Sequence, residues 1–180
     1  MKLLILQTIA CISLSASVPC YASAQKDWDT ISSIGDYGLI AISVGLPAAK
    51  GDKQGALQAA GSFGAAQIVT QGLKYTFPET RPDGSDRKSF PSGHTSTAFA
   101  AAASIYEREG IKAGIPAFAV ATLVGVARVK AEKHHWYDVA VGAGIGLASG
   151  LIITHSRGRK MALIPFGDTK GGGVSFAMRF

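Results

Sequence analysis

In residues 74–94, KYTFPETRPDGSDRKSFPSGH, a long polar connection at 74–91 interrupts an otherwise apolar chain and leads into the next apolar segment. Pro78, Pro82, Pro91 and Gly84 break any helix through it. A loop of this length in a compact domain is a place to look for function. On either side the chain turns into helix-length apolar segments. Upstream these are residues 37–49 and 54–73; downstream they are 93–106, 113–127 and 139–154. Short polar links at 50–53 and 107–110 connect them. The pattern predicts an all-α fold, a helical bundle of about five core helices. Residues 161–166 and 173–180, joined through glycines, predict a short C-terminal β-hairpin or a loose tail.

The first 24 residues have the layout of a secretory signal: Lys2, an apolar stretch from Leu3 to Ala16, and small residues at Ala22, Ser23 and Ala24. The alternative is a retained sixth helix. Both cysteines, Cys11 and Cys20, lie in this segment, so its removal leaves no thiol for a disulfide or a metal. The expected organisation is a signal at 1–24, a helical-bundle domain at 25–156 and a tail at 157–180, with residues 25–36 as a polar leader. Across 180 residues, 47% are hydrophobic and only 17% charged, which suits helices buried in a bundle or a bilayer. The net charge of +6 favours anionic partners such as phosphates or lipid headgroups. No dense basic cluster interleaved with aromatics points to nucleic acid.

If residues 74–91 face outward, then Lys50, Lys53, Arg108, Lys112, Arg157, Arg159 and Lys160 all face inward. That positive-inside bias favours a membrane-embedded bundle over a soluble periplasmic one.

Three polar islands carry the chemistry. The first is Lys74 with Arg81-Pro82, the second Pro91-Ser92-Gly93-His94, and the third Arg128, His134 and Asp138. Each falls at a helix end, and an up-and-down bundle brings all three to one face. Lys74, Arg81 and Arg128 suit a phosphate dianion. Ser92 and Gly93 open a helix whose free N–H groups attract anions. His134 and Asp138, four apart, are expected to share a helix face, the carboxylate fixing the imidazole tautomer. His134 is then a candidate nucleophile and His94 a candidate acid and base. Any of these residues alone has a bland reading as loop charge or helix cap. A metal at His134, His135 and Asp138 is the weaker alternative, because adjacent helical residues diverge.

Together the islands resemble the type 2 phosphatidic acid phosphatase family, which includes bacterial acid phosphatases and vanadium haloperoxidases. The family's pattern is lysine, six residues, Arg-Pro; then Pro-Ser-Gly-His; then Ser-Arg, five residues, His, three residues, Asp. This chain keeps every element but one: Ala127 stands where the family has serine. The resemblance implies His134 as nucleophile, Asp138 as its partner and His94 as general acid. Lys74, Arg81, Ser92, Gly93 and Arg128 would hold the phosphate, with no metal and no cofactor, and vanadate would bind as a phosphate mimic. The expected activity is hydrolysis of a phosphomonoester or pyrophosphate on a membrane lipid at the periplasmic face of the inner membrane. Alternatives are a soluble periplasmic acid phosphatase acting on small esters, a vanadium haloperoxidase, and a lipid-headgroup binder without turnover.

Overall fold

The computed structural model describes the backbone of residues 2–155, 160–168 and 171–179, and the side chains of residues 23–155. Five helices make up the bundle: α1 Lys2–Ala49, α2 Lys53–Thr76, α3 Gly93–Glu109, α4 Ile111–Lys130 and α5 Trp136–Ile153. Two strands, β1 Lys160–Asp168 and β2 Gly171–Arg179, then pair antiparallel with Met161 opposite Met178. The core is therefore all-helical, and the tail is a hairpin. The inward charge assigned to Arg157 and Arg159 lies outside the described residues.

Helix α3 is the hub, because it is built to be approached closely. Ala98, Ala100, Ala101, Ala102 and Ala103 are all fully buried in it. Across from them, α5 offers Gly142, Gly146 and Gly150 at four-residue spacing. A Cβ at Gly146 would sit 2.3 Å from the Ser96 carbonyl oxygen, and one at Gly142 would sit 2.6 Å from that of Ser92. Two helices this close need small residues on both faces. Leu39, Ile105, Ala117, Ala121 and Val124 add the larger part of the core between α1, α3 and α4. Hydroxyls tie the far end: Thr154 Oγ1 lies 2.8 Å from both Ser62 Oγ and Ser104 Oγ. At that same end Lys50 pairs with Glu109 at 2.5 Å, and Arg108 pairs with Asp52.

Residues 25–36 are helix, not a leader. They belong to α1, and the reason is visible in their spacing. Asp29, Ser32, Ser33 and Asp36 fall at i, i+3, i+4 and i+7, a polar stripe that one helical face can bury. Ser32 is fully buried and Asp36 is 4% exposed. The segments Ser23–Ala49, Ile111–Lys130 and Trp136–Ile153 are each long and apolar enough to cross a membrane. Leu57, Ile115, Leu123, Leu151 and Ile152 are exposed on the outside of the bundle.

Candidate active site

Alternating helix directions bring the C-terminal ends of α2 and α4 together with the N-terminal ends of α3 and α5. Lys74, His94, Arg128 and Asp138 consequently meet at one end of the bundle. Arg81 joins them from the 77–92 loop, which is docked rather than loose. Asp83 N–H donates to the Glu132 carbonyl at 3.1 Å, the Lys133 ammonium reaches Asp83 at 2.6 Å, and Arg81 Nη1 donates to the Lys133 carbonyl at 3.3 Å. Gly84, with φ near +70°, makes the turn that folds this loop back.

A cavity of about 600 Å³ opens at this end. Lys74, Arg81, Gly93, His94, Arg128 and His134 line it, together with Asp36, Tyr37 and Ile40 from α1 and Phe63, Gly64, Gln67, Ile68 and Gln71 from α2. Three cationic side chains, two imidazoles and the start of a helix thus share one cavity, large enough for a phosphate and part of the group that carries it.

The structure departs from the expected geometry in three respects. First, His134 is not on a helix. It sits in the turn before α5, and Asp138 lies in the first turn of that helix. His135, at the N-cap, takes Asp138 Oδ2 onto its own backbone N–H at 2.8 Å, in a capping box. Ser89 Oγ donates to the same oxygen at 2.6 Å. His134 Nδ1 lies 3.6 Å from it, just beyond a hydrogen bond, and both residues are almost completely buried. Among the described residues, His134 Nδ1 and Asp138 Oδ1 have no hydrogen-bond partner. Catalytic contacts of this kind commonly tighten only when substrate binds.

Second, Ser92 does not line the cavity. It is fully buried, its Oγ lies 2.9 Å from Thr95 Oγ1, and its N–H donates to the Asp138 carbonyl at 3.0 Å. Its place is to lock the start of α3 to the start of α5. Ala127 is likewise fully buried and outside the cavity lining.

Third, the Lys74 ammonium is occupied. It donates to the carbonyls of Lys88, Ser89 and Pro91 at 2.7, 3.3 and 2.6 Å, using all three of its protons. It anchors the loop and lends its charge to the cavity.

Helix α1 supplies what the motifs did not mark. Arg128 Nη1 donates to Asp29 and, at 3.2 Å, to Ser32 Oγ, while its Nε–H has no partner among the described residues. Ser33 Oγ lies 3.5 Å from His94 Nε2, and Thr97 Oγ1 donates to Asp36 Oδ1 at 2.8 Å. The polar stripe of residues 29, 32, 33 and 36 was the sequence signal for these contacts.

The electrostatics favour a neutral ring at position 134. Burial is the largest influence and pushes the His134 pKa down to about 4. Asp138 works in the opposite sense, but the positive charges of Arg128, Lys74 and Arg81 reinforce burial. A neutral imidazole is nucleophilic, whereas the protonated one is not. Glu79, His135 and Asp138 also gather three potential metal-ligand atoms within 4.8 Å of one another. Asp138 Oδ2 already accepts two hydrogen bonds there, and Glu79 Oε1 accepts one from the Tyr137 hydroxyl.

Residues 55–162 match the PAP2 superfamily. Over 80 residues the chain is 38% identical to the lipid A 1-phosphatase of Porphyromonas gingivalis, covering 43% of this chain and 18% of that protein. Over 109 residues it is 31% identical to the lipid A 4'-phosphatase of Helicobacter pylori, covering 52% of this chain and 55% of that one. The matches therefore span about half or less of these relatives' lengths. The crystal structure of Aquifex aeolicus LpxE superposes with a TM-score of 0.62 at 23% identity, covering 71% of this chain and 83% of that one. A transmembrane PAP2-type phosphatidylglycerolphosphate phosphatase from Bacillus subtilis gives 0.57 at 22%, covering 84% and 90%. The fold is shared with both.

Proposed function

The chain belongs to the PAP2 superfamily, and on that footing we propose that it is a metal-independent phosphatase of membrane lipid phosphates, working through a phosphohistidine. The observation that carries this is the convergence of Arg81, Arg128, His94 and His134 on one cavity, with buried Asp138 behind His134. Asp138 beside Nδ1 keeps the ring proton on that nitrogen and leaves Nε2 for attack. Burial and Arg128 lower the His94 pKa to about 4 in the free site, so His94 takes up its proton beside the anionic phosphate. Nε2 of His134 then bonds to phosphorus as the ester P–O bond breaks, and His94 gives that proton to the departing oxygen. His94 then takes a proton from water, whose oxygen attacks phosphorus, and the P–N bond breaks to release phosphate. Arg81 and Arg128, with the N–H groups at the start of α3, stabilise charge on the equatorial oxygens.

A lipid substrate is supported by the three membrane-length helices and by the apolar side chains exposed around the bundle. The relatives named above as lipid A phosphatases point the same way. We infer an outward-facing site: if the signal at 1–24 is removed on export, the new N-terminus at Gln25 lies outside, and Asp29, four residues on, pairs with Arg128. Lys50, Lys53, Arg108 and Lys112 then lie at the inner end, as the positive-inside bias requires.

The test is phosphate release by purified protein in detergent from lipid A, phosphatidic acid, phosphatidylglycerophosphate and isoprenyl pyrophosphate, each with and without chelator. Release that survives chelation and disappears in His134→Ala supports the proposal. Release only from small soluble esters, or only with added metal, overturns it.

A further inference from the structure

The cavity is layered, and the layer beneath the cations has no role in the chemistry above. Along one face of α2, Lys74, Gln71, Gln67 and Gly64 all line it. At 1.5 Å per residue, Gln67 lies roughly 10 Å along the axis from Lys74. It still reaches the start of α3, because a Cβ at Gly93 would lie 3.7 Å from Gln67 Oε1. Opposite, Asp36 from α1 and Thr97 from α3 line the same level, joined by their 2.8 Å hydrogen bond. Deeper still come Ile40 and Phe63. From the outside inward, the cavity thus runs from cations, through amides and a carboxyl group, to hydrocarbon.

In this layer Asp36 and Thr97 are buried, Gln67 is half-buried and Gln71 is exposed at the rim. Neither Gln67 nor Gln71 is tied by its amide to another described residue. Asp36 is 4% exposed within a membrane-length helix. An ionisable group at such depth is a candidate for substrate contact by default. A hydrocarbon chain attached directly to the phosphate would leave the half-buried Gln67 amide facing methylenes, while Asp36 would keep only its bond from Thr97. An alcohol bearing hydroxyl, ester or amide groups beside its phosphate would pair them.

Resting on the phosphatase reading above, we propose that Gln67, Gln71 and Asp36 are specificity-determining residues that read the alcohol carrying the phosphate. They favour a hydrogen-bonding sugar or glycerol headgroup over a bare prenyl chain. The phosphate is held above this layer and the acyl chains pass below it along Ile40 and Phe63.

The experiment compares kcat/KM for phosphate release from lipid A, phosphatidylglycerophosphate and farnesyl phosphate in matched micelles. The wild type, Gln67→Leu and Gln71→Leu are assayed side by side. The wild type is expected to prefer one of the first two over farnesyl phosphate by at least about tenfold, since sites built to bond a substrate hydroxyl discriminate strongly. Whichever is better identifies sugar or glycerol as the source. In Gln67→Leu that preference should shrink about tenfold, the worth of one lost hydrogen bond in a desolvated site. Gln71→Leu should shrink it in the same direction and serves if Gln67→Leu does not fold. Farnesyl phosphate cleaved as well as the others by wild type overturns the inference. So does an equal loss on all three substrates, which would make Gln67 a phosphate ligand. Absence of release from every lipid sinks the phosphatase reading itself.

Discussion

Arg128 is gripped from behind by Asp29, the guanidinium Nη1 donating to the carboxylate of a residue 99 positions earlier in the chain. Arg128 is almost completely buried, while the Asp29 side chain is 44% exposed. Tethering at Nη1 leaves the Nε–H of the fork without a partner among the described residues. The carboxylate therefore orients the arginine and leaves donors for an anion. Because Asp29 is partly solvated, the pair is worth less than a fully buried one. Asp29→Ala is expected to weaken vanadate binding and lower kcat/KM by roughly tenfold, the scale of one charge-assisted hydrogen bond. Asp29→Asn should recover part of the loss. Tighter vanadate binding in Asp29→Ala would show instead that the carboxylate competes with substrate.

His134→Ala should reduce turnover by at least about a thousandfold while substrate still binds, since the nucleophile is removed and the cationic clamp remains. His94→Ala should slow breakdown of the intermediate. Acid-labile, base-stable phosphorylation of His134, trapped by rapid quench of His94→Ala, is the expected signature. Full activity in His134→Ala would end the covalent mechanism.

The pH dependence carries a definite sign. A ring with a pKa near 4 stays neutral and nucleophilic down to that pH, where an ordinary histidine would already be protonated near 6.5. The limb of kcat/KM assigned to His134 should therefore fall as pH drops through about 4, tenfold per pH unit below it. Between 6.5 and 4 the unfolded ring binds a proton that the folded ring refuses, so stability should decline as pH falls through that window. His134→Gln should remove this ring's share of that decline in thermal melts, leaving the share of His94, whose pKa burial also lowers to about 4. An unchanged stability profile would show that the ring is not held neutral by burial.

Gly146 tests the close approach of α3 and α5. A side chain there meets the Ser96 carbonyl oxygen and the Ala100 amide, both backbone and unable to step aside. Gly146→Val should destabilise by about 1–3 kcal/mol or more, as overpacking does, and should misplace Asp138 at the head of α5. Gly144→Ala, where nothing lies within 4 Å, is the control and should melt like wild type. Equal melting of both variants would rule out the tight α3–α5 contact.

What the amino-acid sequence determined by itself was local. Helix-length apolar runs, proline and glycine at their ends, and motif spacing were enough to foresee α2 to α5, the hairpin, and the helix ends at which Lys74, His94, Arg128 and Asp138 stand. These follow from interactions within a few turns of chain, which residue order records directly. Tertiary structure alone decided which way each side chain turned. Ser92 points into the α3–α5 contact, Lys74 spends its protons on loop carbonyls, and His134 occupies a turn whose capping needs claim Asp138. It also decided that the polar stripe of α1 would close the cavity and seize Arg128. Buried polar groups must be satisfied by whatever lies opposite, and that neighbour is set by helix packing across distant parts of the chain.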